Sequence, residues 1–129
     1  MLTPDQFRIN EAWIVSRANE LPLFVKEVPY DCYFLMDAGS CYVLGYVLAS
    51  KHGAPDEREV AALLEKAWRG KKQWAQKLIV TGDEATDNVF RDQAEARGLQ
   101  VEVVPEEEMP AIVGPIRRSF EEMFLNRGT

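Results

Sequence analysis

The chain has one histidine and two cysteines in 129 residues, too few for most transition-metal chemistry. The two thiols, Cys32 and Cys41, match neither a redox Cys-x-x-Cys pair nor a zinc knuckle. Both fall in apolar, strand-like runs and are read as buried free thiols. His52, beside Gly53 in a polar stretch, has no evident triad partner, and no Gly-x-Ser-x-Gly elbow exists. Gly39, Gly45 and Gly53 are too scattered to form a phosphate-cradling loop. No apolar run approaches the ~20 residues that a membrane-spanning helix requires. Met1-Leu2-Thr3-Pro4-Asp5 lacks a basic region followed by an apolar core, so a cytoplasmic location is expected. Positive charge is scarce too: the net charge is −6 and the pI about 4.8. Contact with a phosphate backbone needs the opposite balance, which argues against nucleic acid as a partner. The densest basic stretch, Arg69-Gly70-Lys71-Lys72, reads as a helix end, and Glu106-Glu107-Glu108 reads as a helix start.

The remainder is ordinary globular material. Hydrophobic residues make up 47%, and no linker, repeat or composition break divides the chain, which reads as a single α/β domain over residues 1–129. Pro4 suits the first turn of a short helix over residues 3–12. Trp13 to Ser16 and Leu23 to Val25 read as short strands. Cys32 to Met36 and Cys41 to Ala49 are apolar runs around Asp37-Ala38-Gly39-Ser40, the pattern of a β-hairpin covered on both faces. Asp56 with Glu59 fits a capping box for a helix carrying Val60, Leu63, Leu64, Ala67 and Trp68, with Gly70 as its stop. Lys77 to Thr81 reads as a buried strand, Thr86 to Arg97 as a helix closed by Gly98, and Gln100 to Val104 as a strand. Met109, Ile112, Val113, Ile116, Phe120, Met123 and Phe124 share one helical face, with a kink or restart expected at Gly114-Pro115. Strands alternating with helices after a hairpin imply a mixed sheet with helices on both faces.

Specific residues carry a resemblance. Asp37 and Ser40 before Tyr42-Val43-Leu44-Gly45 resemble the central hairpin of integrase and transposase catalytic cores. Leu78-Ile79-Val80-Thr81-Gly82-Asp83, then Phe90, resembles their strand ending in an acidic residue. Gly114-Pro115-Ile116-Arg117-Arg118 is similar to the start of their last helix. The likeness covers about four fifths of the chain and implies a ribonuclease H-like fold. The chain is also similar to small uncharacterised bacterial domains with a comparable Trp, Leu-Pro and hairpin pattern, a likeness that implies no activity. The catalytic family holds two divalent metals on a carboxylate cluster. Its first acid follows a Trp by three residues, where this chain has Ser16; Asp83 matches the second acid; Arg117 stands where the third is expected. The resemblance therefore implies a catalytic core without its metal site.

A different register leaves a metal-dependent alternative. If the Asp37 strand is the first of the sheet, Asp37 and Asp83 end adjacent strands, with Glu57 or Glu59 and Glu121 or Glu122 on nearby helices. Such a set would bind Mg²⁺ or Mn²⁺ and serve a nuclease or phosphoryl-transfer reaction using Asp37, Asp83 and Glu121. Otherwise Asp37 belongs to the turn and Asp83 to loop or cap chemistry, and Glu84 and Asp87 are first-turn acids favoured by the helix dipole. The leading expectation is a non-catalytic domain with no cofactor, acting through a protein partner or self-association. Trp13, Trp68 and Trp74 are its candidate anchors, two of the three being assigned to the core.

Overall fold

A computed structural model describes residues 1–19, 22–50 and 53–127, with side chains up to residue 123; His52 lies outside them. Six strands form one mixed sheet: β1 (Ala12–Arg17), β2 (Leu23–Val25), β3 (Val28–Asp37), β4 (Val43–Ser50), β5 (Lys77–Val80) and β6 (Gln100–Val103). Three helices accompany it: α1 (Glu57–Lys71), α2 (Glu84–Glu95) and α3 (Pro110–Arg127). β3 pairs antiparallel with β1, β2 and β4, whereas β1, β5 and β6 run parallel. Tyr30 pairs with both Leu23 and Ser50, so β2 and β4 flank β3 on opposite edges. The path across the sheet is β4-β3-β1-β5-β6, with β2 extending the β1 side.

Alternation along the strands builds two cores. Trp13, Val15, Tyr33, Leu35, Leu78 and Val80 face α1 and α2, where Val60, Leu63, Leu64, Ala67, Phe90 and Ala94 pack on them. Ile14, Cys32, Phe34, Met36 and Ile79 face α3, which contributes Ile112, Val113 and Phe120. All but the last residue of β1 is buried, as a central strand covered on both faces requires. The expected helices on both faces of a mixed sheet are present.

Several local expectations need correction. Residues 3–12 form only one 3-10 turn, Pro4–Gln6, because the following backbone is spent on loop contacts rather than helical bonds. β3 begins at Val28, four residues before the apolar run, since pairing with β2 offsets the poor strand propensity of Pro29 and Asp31. β4 begins at Val43, leaving Cys41 half-buried in the turn with positive φ. β4 also alternates buried and exposed residues, so one of its faces is open. α1 passes through Gly70 and ends at Lys72, whose backbone is left-handed. α3 continues through Pro115 without a restart, and Met123 is exposed rather than inward.

Gly39 is required by close approach. A Cβ there would lie 2.6 Å from the Arg8 carbonyl oxygen, so the N-terminal segment is seated directly on the β3–β4 turn.

Candidate functional site

Asp37 ends β3 and is completely buried. Its Oδ1 accepts the Asn10 amide at 2.8 Å, and its Oδ2 accepts the Ser40 amide at 3.0 Å and the Ser40 hydroxyl at 2.6 Å. Three donors engage both oxygens of the carboxylate and fold the turn around it, which is common Asp turn chemistry. Asp83 is elsewhere. Asp37 lies opposite Trp13, at the start of β1, whereas β5 runs parallel to β1 with Ile79 opposite Ile14. Continuing that register sets Asp83 about five residues further along β1, roughly 16 Å at the strand rise. The register in which both acids meet at one metal is therefore not the one adopted. Glu57 and Glu59 open α1 on the β4 side, and Glu121 lies in the last two turns of α3. No group of three or more His, Cys, Asp or Glu suited to a metal forms among the described residues.

The other register does converge. β1 brings Ser16 to its carboxyl end, buried and facing the α3 side. After β6, a 3-10 turn (Glu106–Glu108) swings Glu106 under that strand end. The Ser16 hydroxyl donates to Glu106 Oε1 at 2.6 Å. Arg117, on the second turn of α3, pairs with the same oxygen at 2.5 Å and donates its Nε hydrogen to the Arg17 carbonyl at 2.9 Å. Burial pushes the Glu106 carboxyl up, but hydrogen bonds from Arg117 and Ser16, with the charges of Arg117 and Arg17, outweigh it and hold its pKa below the usual carboxylate value.

Asp83 stands at the rim of the same end. Arg17, Tyr33, Thr81, Gly82, Asp83 and Glu106 enclose a cavity of about 220 Å³. The Tyr33 hydroxyl donates to Asp83 Oδ2. Burial, then this bond to a carboxylate, raises the pKa of Tyr33 well above that of a free phenol. Gly82, with φ +104, turns the chain so that Asp83 precedes α2. Asp87 is turned inward and accepts the Gly82 amide at 2.8 Å; burial raises its pKa despite that bond. It is a first-turn acid, as read from the sequence, but its carboxylate is spent on tying the Gly82 loop to α2.

The donor set does not fit a pair of hard divalent cations, which need several charged oxygens. Ser16 is neutral, Arg117 is a cation, and Glu106 is already neutralised by it. Asp83 remains, tied to Tyr33. Sequence reasoning identified Ser16, Asp83 and Arg117 but missed Glu106, whose run was read only as a helix start. Its partner Ser16 is 90 residues away, beyond any local signal.

Among the aromatics, Trp13 is fully buried, while Trp68 is exposed. Trp74 lies between them, 6.1 Å from each ring, and packs against the core. No described helix is long and apolar enough to cross a membrane. No protein-family model and no curated protein matches the sequence. Among solved structures, the chain is similar to a chain of the simian T-cell lymphotropic virus intasome in complex with PP2A regulatory subunit B56 gamma, with a TM-score of 0.58 and 13% identity. The similarity covers 100% of this chain but 45% of the other, and at that identity it concerns the fold alone.

Proposed function

We propose that this chain is a non-catalytic domain of ribonuclease H-like fold that acts through protein contacts. The observation that carries the reading is the Ser16–Glu106–Arg117 cluster at the carboxyl end of β1. In the catalytic cores that the sequence resembles, acidic residues at the positions of Ser16, Asp83 and Arg117 hold the metals. Here a hydroxyl and a guanidinium replace two of the three, and the guanidinium supplies internally the positive charge that a metal would bring. The order β4-β3-β1-β5-β6, antiparallel then parallel, supports the fold assignment. So does the likeness to a chain of the intasome, itself an assembly solved with another protein.

Titration calorimetry with Mn²⁺ and Mg²⁺ tests the reading. The expected result is no heat of binding at millimolar metal and no difference between the wild type and Asp83→Asn. Mn²⁺ binding that disappears in Asp83→Asn would overturn it, and would restore the nuclease reading with Asp83 at its centre.

A further inference from the structure

We infer that the free edge of β4 takes an extended, acidic segment of a partner protein as an added strand. The inference rests on the protein-contact reading above and specifies the surface and the chemistry of the partner. β4 bonds to β3 along one edge and pairs with no other described strand along its second. An unpaired edge presents a row of backbone donors and acceptors to any extended chain, so folded proteins normally blunt it with charge, proline, irregularity or shortness. The opposite edge follows that rule. β6 has four residues and includes Glu102, engaged by Lys77 at 3.1 Å. β4 does not: its eight residues, Val-Leu-Gly-Tyr-Val-Leu-Ala-Ser, contain no charge and no proline. Its register irregularity is confined to the Val43–Leu44 end, leaving Gly45 to Ser50 regular.

Charge complementarity selects the occupant. A groove of about 480 Å³ runs between β4 and α1, lined by Tyr46, Leu48, Glu59, Ala62, Lys66 and Arg69 among others. Lys66 lies beside Gly45, and the Lys71 ammonium sits over the Tyr42 ring, so helix and strand run in opposite directions. The Tyr42–Gly45 end of the groove is therefore cationic. Glu59 comes two helical turns before Lys66, roughly 10 Å away toward Leu48. Lys66, Arg69 and Lys71 form no ion pair among the described residues, although the chain carries 21 acidic residues against 15 basic ones. Glu65, one turn before Arg69, is engaged instead by Arg97 at 3.0 Å. An occupant has to offer backbone groups to β4, small apolar side chains to Ala62, and carboxylates to Lys66 and Arg69 at one end. An extended acidic segment does all three, with main-chain bonds supplying affinity and side chains specificity. A second copy paired antiparallel about Val47–Leu48 would set Glu59 against its own equivalent, and nucleic acid has no peptide backbone for the edge.

Fluorescence polarisation of a labelled peptide, Asp-Glu-Val-Thr-Val-Thr-Val, titrated with the full chain tests this. Saturable binding that weakens as salt rises is expected, with none for Lys-Lys-Val-Thr-Val-Thr-Val. Lys66→Glu with Arg69→Glu should weaken the acidic peptide at least ~10-fold and admit the basic one, an exchange that simple damage to the fold does not give. A strand offers only alternate amides to one neighbour, so N-methylating one alternate set should abolish binding and N-methylating the other should spare it. Absence of binding, indifference to the charge reversal, or equal effects of the two N-methylated sets overturns the inference. Displacement of the peptide by an equal concentration of single-stranded DNA overturns it too, by giving the cations to phosphate. So does a wild-type dimer in sedimentation velocity that the charge reversal disperses, which would give the edge to a second copy. None of these results touches the metal titration, so failure here is separable from failure of the non-catalytic reading.

Discussion

Ser16 and Arg117 meet on a single carboxylate oxygen, Oε1 of Glu106, and so join the end of the central strand to the last helix. Both side chains of the ion pair are largely withdrawn from water, so the pair is not a screened surface contact. Cutting one partner exposes the other to an unpaired, half-buried state. Arg117→Met should therefore destabilise the fold by roughly 1–3 kcal/mol in urea unfolding. The double variant Glu106→Gln with Arg117→Met should recover part of that loss, because the orphaned charge goes with its partner. Strict additivity of the two single changes would show that the contact is not energetically coupled.

The same place offers a gain-of-function test. Ser16→Asp combined with Arg117→Glu removes the internal cation and adds two acids to Glu106 and Asp83. Mn²⁺ binding absent from the wild type should then appear in calorimetry, accompanied by metal-dependent stabilisation. A folded double variant that ignores millimolar Mn²⁺ would count against descent of this site from a metal centre.

Acid unfolding should report Glu106. Its folded pKa is depressed, so the unfolded chain takes up the proton first as pH falls. The stabilisation is complete above the ordinary Glu range of about 4.3 and is lost as pH drops through the lower folded value. Asp87 contributes with the opposite sign, because its folded pKa is raised. Urea midpoints taken over a pH series should show a flatter acid limb in Glu106→Gln than in the wild type. Superimposable limbs would mean the carboxylate contributes nothing to the pH dependence.

Asp37 should prove structural. It is fully buried and accepts three hydrogen bonds from Asn10 and Ser40. Asp37→Ala orphans those donors and should cost roughly 2–4 kcal/mol. Asp37→Asn should cost less, since one acceptor oxygen survives. Neither change should alter the response to divalent metal, and calorimetry alongside thermal unfolding separates the two effects.

Much of this architecture could be read from the residues. The hairpin, α1, β5, α2 and β6 follow from apolar periodicity and from Asp56, Gly82 and Gly98 at their ends. The three positions Ser16, Asp83 and Arg117 were legible through the resemblance. What remained hidden was long-range. Glu106 acquires its meaning only when β6 and α3 carry it under β1, and no pattern within the triple-Glu run announces that. Cys41 and Tyr42 read as strand because they are apolar, yet Asp37 spends its carboxylate on a turn that holds Cys41 at positive φ. At Gly114-Pro115 a kink or a restart was expected; the helix does not restart, because Pro115 falls only five residues into α3, where the contacts of Ile112, Val113 and Phe120 hold it to the sheet.

The N-terminal segment has a further effect on how the molecule opens. The Leu2 amide is bonded to the Glu108 carbonyl at 2.6 Å, ahead of α3. Eight residues later, Asn10 holds Asp37 with its amide, the Gln73 carbonyl with its side-chain nitrogen, and the Trp13 indole with its oxygen. Residues 2–10 thus behave as a strap buckled at both ends, spanning from the start of the last helix to the hairpin turn. A strap of this kind does not fray from one side; it lets go when both buckles do. The turn around Asp37 and the approach to α3, distant along the chain, should therefore exchange their amide hydrogens as one cooperative unit.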